Sequence, residues 1–401
     1  MTMAQAFDGI RIIDFSQVLA GPFAVMQLAL LGAEVIKVEQ PGGGDQTRGL
    51  MNIGEDQGLS PSFLGMNLNK QSLTLNLKAP EAIEIVKKLV ATADVVVENF
   101  KAGTMERLGL SYEDLKEIKP DLIYCSVTGY GQTGPKAGEA AYDGAVQAAS
   151  GMMSQNGHVQ TGPTRTGYMP VDMSTALNTA FTISAALFRR ANTGLGQRID
   201  VAMMDTAIVM QASQYSNYLN QGNLVGLLGN ASPTRQPTAN VFATSDSHIQ
   251  VTAIRQPQVE KLFEAIGETD QLTLEKFATP DVRIENGAEV GEIVASALKK
   301  ETTEYWLKKL AALGIPTAEI RGLPEVINDP QFESRGVFET LPHPVDPLKE
   351  FTIVKAGYVL DADGPAVRST PPLLGQHTDD VLASLGYNAQ EIASLKEAQI
   401  C

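Results

Sequence analysis

Short apolar runs alternate with helix-length amphipathic stretches over the first half of the chain. Residues 9–15 (GIRIIDF) predict a strand, and residues 23–31 a helix entered after Gly21-Pro22. EVIKVE at 34–39 predicts a second strand, followed by the glycine loop PGGGD. A strand is expected at 73–77 from its alternation, and a helix at 80–92 with Pro80 in its first turn. DVVVE at 94–98 and residues 121–127 predict two further strands. Strands separated by helical patterns imply crossover units and a mostly parallel sheet.

Residues 174–190 predict a long apolar helix, 198–204 a strand, and 205 onward a return to helix. The stretch 222–237, rich in Gly, Asn, Pro and Thr, predicts a linker. After it come a strand at 249–253 and helices at 257–266, 288–300 and 303–313. Near Pro330 the pattern changes to short strands and a final helix pair at 379–385 and 389–398. The expected organisation is a large domain from 1–225, a small one from 226–330, and a C-terminal part, 331–401, returning to the large domain.

Composition narrows the function classes. The hydrophobic share of 43% supports a large core, and 19% charged residues without a low-complexity tract argue against disorder. A formal net charge of −15 makes nucleic acid and anionic membrane surfaces poor partners. The longest mostly apolar stretches are too short to span a bilayer. Cys125, in the apolar run LIYCSV, reads as a core thiol, and Cys401 ends the chain; this usage fits a reducing compartment. The start of the sequence lacks a basic segment leading into an apolar one, so no signal peptide is expected and the expected location is cytoplasmic.

Candidate chemistry gathers after strand ends. PGGGD is a weak phosphate cradle, since three glycines equally make a plain turn. Arg48, in DQTRG, is a candidate substrate-binding cation against the alternative of a solvated surface charge. After DVVVE come Asn99 and Phe100, which offer an amide and a stacking face, and then Arg107, which could pair with a phosphate. From position alone an N-cap and a core ring serve equally well. The loop SVTGYGQTGP brings backbone close to a ligand, with Tyr142-Asp143 beyond it; a tyrosine there is more often packing. Asp172 stands just before the long apolar helix. It reads either as a helix cap or as a nucleophile kept ionised by helix N–H groups, and position alone favours the cap. None of His158, His248, His343 and His377 has metal-ligand spacing, so no metal is expected.

Taken in order, the stretches GIRIIDFSQVLAGPF, EVIKVEQPGGGDQTR, ADVVVENFKAGTMERLGL, IYCSVTGYGQTGP, GPTRTGYMPVDMSTA, TGLGQRIDVAMMD and PPLLGQHTDDVLASLG resemble the family III CoA-transferases. That group includes formyl-CoA, carnitine and bile-acid CoA-transferases. The resemblance implies an α/β fold, with a Rossmann-like large domain and a smaller α+β domain, in an interlocked homodimer. It implies transfer of coenzyme A from an acyl-CoA thioester to a free carboxylic acid, with dicarboxylates among the candidate acceptors, acyl-CoA as substrate and no tightly bound cofactor. Asp172 matches the family's catalytic aspartate, Val18, Asn99, Phe100 and Arg107 match coenzyme A-binding positions, and Tyr142 an active-site tyrosine. Three departures stand out. There is no glycine run between 222 and 266, Gln40 replaces an arginine, and Ala176 replaces a glycine in DMSTA. An α-methylacyl-CoA racemase of the same fold is the nearest alternative, but those enzymes carry a His-Asp pair where this chain has Tyr142-Asp143. A non-catalytic acyl-CoA-binding protein is the third reading. Arg165 and Arg255 are candidate carboxylate clamps.

Overall fold

The apolar runs of the first half become a six-stranded parallel sheet. Its strands are β1 (Arg11–Asp14), β2 (Glu34–Glu39), β3 (Lys70–Thr74), β4 (Val95–Glu98), β5 (Ile123–Thr128) and, beyond a small hairpin of β6 (Gly157–His158) and β7 (Gly162–Pro163), β8 (Gln197–Ala202). The order across the sheet is β3-β2-β1-β4-β5-β8, and every pairing is parallel. This is the order of Rossmann-type sheets, in which the winding reverses between β1 and β4 and leaves a crevice at their carboxyl ends. The computed structural model describes residues 5–50, 58–346 and 348–401.

The strands bury both faces, which is why they read as unbroken apolar runs. On one face Ile13, Ile36, Leu73 and Val96 pack with Ile85, Val86 and Leu89 of the Pro80–Val90 helix. On the other, Ile12, Val35, Val95 and Val97 meet Val25 and Leu28 of the Ala20–Leu30 helix and Ile183 of the long Pro170–Thr193 helix. Neighbours Ile12 and Ile13 thus face opposite cores, as strand pleating requires. Truncating the fully buried Leu89 to Ala would cost about 2–5 kcal/mol.

Two compact units result. One holds the chain up to Ser150 together with Thr166–Ala212 and Pro330–Cys401; the other holds Gly151–Arg165 and Ser213–Asp329. The expected boundary at 226 lies instead at Ser213, and the small unit also takes in Gly151–Arg165, because the Gly229 N–H donates to the Gly157 carbonyl at 2.8 Å and ties the hairpin there. The small unit is built on an antiparallel sheet of β9 (Ala239–Ala243), β10 (His248–Thr252) and β11 (Thr317–Glu319), with its own core around Phe242, Leu262, Phe263 and Trp306.

Two element boundaries shift for chemical reasons. β3 starts at Lys70, not at residue 73, because Lys70 is buried against Asp14 and behaves as an inward strand residue. The long helix starts at Pro170, so Asp172 lies inside its first turn instead of ahead of it.

Candidate active site

A cavity of about 480 Å³ opens at the carboxyl ends of the parallel strands in the large unit. Gln17, Val18, Leu19 and Ala20 reach it from β1, and Asn99, Phe100 and Lys101 from β4. These are the two strands that flank the reversal of winding, where open α/β sheets bind ligands. Val127, Thr128 and Gly129 add a wall from β5; Tyr142, Asp172 and Met203 complete it. Gly129 is required here: a Cβ on it would lie 2.2 Å from the Ala141 Cβ, which also lines the cavity.

Asp172 does not cap its helix. Met169 is the cap residue and offers no side-chain bond, while Pro170 opens the first turn. The orphan N–H groups of Val171 and Asp172 donate instead to Oδ2 of the buried Asp143, at 2.8 and 3.1 Å. Asp143 therefore does the capping from another helix, Asp143–Ala149. This leaves the Asp172 carboxyl turned to the cavity, with no hydrogen bond among the described residues. Nor do the helix N–H groups hold it low. Burial, reinforced by the Asp143 charge, pushes it up to about 6. At pH 7 roughly nine-tenths of such a group is ionised, and it is more basic than an ordinary aspartate.

The other expected residues divide. Val18, Asn99, Phe100 and Tyr142 come together on the cavity wall; Tyr142 is 65% exposed. The Asn99 amide is not free for a ligand ring: Oδ1 accepts from the Gln17 N–H at 2.8 Å and Nδ2 donates to the Gln17 carbonyl at 2.7 Å. Arg107 ends the short Thr104–Arg107 helix, outside the lining; it is exposed and donates to Thr104 Oγ1 at 2.9 Å. Arg48 is neither a solvated charge nor a wall residue. It is 3% exposed, grips both oxygens of Glu39 at 2.7 Å and lies 3.8 Å from the Phe63 ring centre. Its fork is fully engaged in holding the chain after β2, and Gln46 lines the cavity in its stead. Arg165 and Arg255 lie in the small unit.

Two features escape a reading of the sequence alone. Glu98, 3% exposed at the end of β4, is pushed up to about 7 by burial, against bonds from Ser126 and the Phe100 N–H. The second is a cluster of buried, paired charges: Asp14 with Lys70, Lys37 with Asp45, and Glu39 with Arg48. Its one sequence signal is charge inside the apolar runs, Asp14 in IIDF and Lys37 and Glu39 in VIKVE. Among the described residues no group of three or more His, Cys, Asp or Glu side chains could hold a metal ion.

A parallel-sheet enzyme with an unpartnered carboxyl at its switch-point cavity is the class that this geometry defines. Comparison with known proteins supplies the family. The model of "CoA-transferase family III" matches residues 7–378. The human succinyl-CoA:glutarate CoA-transferase is 35% identical over 412 residues, covering 100% of this chain and 91% of that protein. A formyl-CoA:oxalate CoA-transferase of Rhodopseudomonas palustris is 32% identical, covering 99% and 97%. The crystal structure of a CAIB/BAIF family protein from Brucella suis superposes with a TM-score of 0.84 at 34% identity, covering 96% and 100%. The chain belongs to CoA-transferase family III and is a CoA-transferase, acting on acyl-CoA thioesters and carboxylic acids.

Proposed function

We propose that Asp172 is the covalent nucleophile of this transferase and that the switch-point cavity takes the thioester end of acyl-CoA. The observation that carries this is the Asp172 carboxyl itself: half-buried, facing the cavity, unbonded, and pushed up to about 6. A carboxylate oxygen attacks the thioester carbon, the C–S bond breaks, and an acyl–aspartyl anhydride forms with CoA thiolate. The thiolate then attacks the aspartyl carbonyl and releases the first acid, leaving an aspartyl-CoA thioester. The acceptor carboxylate attacks that thioester, breaking its C–S bond to give a second anhydride and free thiolate; the thiolate then attacks the new acyl carbonyl, opens the anhydride and frees Asp172. No net proton is consumed, and one hard exchange becomes several easier ones. The anhydride needs a dry site, and burial at Asp172 supplies part of it.

Incubation with acyl-CoA followed by hydroxylamine or borohydride trapping should place an adduct on the peptide containing Asp172, read by mass spectrometry. An adduct on another residue, with Asp172 unmodified, would remove it from the mechanism.

A dicarboxylate is the proposed acceptor. The named relatives act on glutarate and oxalate, and Lys101 supplies a cation on the cavity wall. A panel of mono- and dicarboxylates tests this; equal rates with both classes would refute it. A homodimer is proposed from Leu177, Phe181 and Phe188, which lie on the long helix and are 56%, 70% and 74% exposed. Apolar surface of that size on one helix calls for a partner, and an active monomer by light scattering would rule it out. Coenzyme A remains a substrate in this scheme, the phosphates reaching toward Arg107. An Arg107→Ala variant with unaltered CoA affinity would remove that contact.

A further inference from the structure

The turn between β1 and the Ala20–Leu30 helix is held in a shape that its own residues disfavour. Val18 has φ 70°, a left-handed backbone rarely tolerated by a β-branched residue. Gln17 and Val18 both line the cavity that holds Asp172. From one side the Asn99 amide grips the Gln17 N–H and carbonyl. From the buried side two charged groups complete the hold. The Val18 N–H donates to Asp45 Oδ1 at 3.2 Å, and Lys37 Nζ donates to the Ser16 carbonyl at 2.6 Å.

Lys37 and Asp45 are themselves joined at 2.9 Å with both side chains 0% exposed. Asp45 is fixed further by the Thr47 N–H and hydroxyl, at 2.9 and 2.8 Å, and its own N–H donates to Glu39 Oε1. Gly21 lets the helix start close in, since a Cβ there would lie 2.3 Å from the Ser16 Cβ.

Stability alone is a weak reason for this pair, because buried ion pairs are often replaced by apolar residues without loss. What distinguishes it is where its remaining bonds go: to the backbone on either side of Gln17. We propose that Lys37–Asp45 is a positioning pair for acyl-CoA binding, holding the Gln17–Val18 turn in its cavity-lining shape before any ligand arrives. The proposal rests on the switch-point cavity being the acyl-CoA site. A wall ordered in advance spares the ligand the cost of ordering it, and so appears as affinity.

Lys37→Met with Asp45→Ala removes both charges together, and Asp14–Lys70 and Glu39–Arg48 remain paired. Lys37→Met with Asp45→Asn restores only an oxygen for the Val18 N–H. We expect the first double variant to bind CoA about tenfold more weakly by calorimetry, and the second to regain only the part of the loss carried by the Val18 N–H, the Lys37 bond to Ser16 still being absent. Equal thermal destabilisation of both, with wild-type CoA affinity in the folded protein, would make the pair merely structural and overturn the proposal. Phe100→Ala serves as the control on the site. If it weakens CoA binding and the double variants do not, the pair is wrong and the cavity right. If none of them changes CoA affinity, the cavity reading fails and the pair with it. Wild-type protein gives a readout that needs no variant: in hydrogen–deuterium exchange the Gln17 and Val18 amides should be slow without ligand and little changed by CoA. Fast exchange that slows only on adding CoA would show that the turn is not preformed.

Discussion

Two groups of carboxyls lie at the carboxyl ends of one parallel sheet, and they are treated in opposite ways. At the β1–β2 side Asp14, Glu39 and Asp45 are each met by a buried cation. Burial alone would raise them, but Lys70, Lys37 and Arg48 hold all three below the ordinary carboxylate range. Asp172, on the cavity wall, forms no ion pair among the described residues, and burial with a neighbouring Asp143 drives it up to about 6. Glu98, in no ion pair among the described residues, is pushed up to about 7 by burial. Paired buried charges fix backbone; unpaired ones keep reactivity.

The largest expected effect is on the unpaired side. Asp172→Asn removes the nucleophile and should lower turnover by about 10³-fold or more, with acyl-CoA binding retained. Its stability effect has a definite sign. Between the unfolded value near 3.8 and the folded value of about 6, the native state binds more protons at this carboxyl than the unfolded chain. Stability therefore falls as pH rises through that window. Asn abolishes the loss, so at pH 7 the variant should be as stable as wild type or more so. A rapid assay and a urea titration check both parts; near-normal turnover would reduce Asp172 to a helix residue.

Breaking the paired side should do the reverse. Lys70→Met strands Asp14, whose Oδ2 accepts from Lys70 at 2.9 Å in a site of 0% exposure. Removing one partner of a buried pair costs about 3–5 kcal/mol, so the variant should unfold at markedly lower urea. The pH dependence is also inverted. The lowered carboxylates contribute stability that is present above about pH 4 and lost as pH falls through their folded values. A Lys70→Met protein with unchanged urea midpoint would deny the cluster its structural role.

A smaller effect should tie the same contrast to the rate. Turnover with saturating substrate should fall below about pH 6, where Asp172 takes up a proton. Asp143→Asn keeps an oxygen for the Val171 and Asp172 N–H groups, since Asn caps about as well as Asp, but removes the neighbouring negative charge. The acid limb of the pH–rate profile should then move to lower pH. A limb that stays in place would mean that burial alone sets the Asp172 value.

Much of this was legible in the sequence, and the failures share a cause. Strands such as Glu34–Glu39 announced themselves by length and apolar content, whereas Asp172 stood out as a candidate through its match to a family motif and not through its position. What misled was a polar residue whose partner is distant in the chain. Lys70 hid the start of β3 because Asp14, which buries it, is 56 residues away. Arg48 looked like a substrate-binding cation or a surface charge because the sequence does not reveal that Glu39 and Phe63 enclose it. Asp172 looked like a cap because Asp143, 29 residues earlier, does the capping unseen. The left-handed Val18 gave no signal at all, because valine is a residue that normally argues against that conformation.

The smallest effect concerns that valine. If the paired side holds Val18 against its preference, strain relief should be measurable in the free protein. Glycine adopts φ near 70° at no steric cost, whereas alanine keeps a Cβ that clashes there. At an ordinary backbone position alanine is the more stable of the two, because it has less freedom to lose on folding. At position 18 the order should invert, with Val18→Gly more stable than Val18→Ala by about 1 kcal/mol. Both truncations remove the same packing apart from one methyl, so the comparison isolates the backbone. Urea midpoints of the two variants, measured without CoA, decide it. Alanine at or above glycine would mean that the turn relaxes to an ordinary conformation when the valine is gone, and that the buried Lys37–Asp45 pair does not impose its shape.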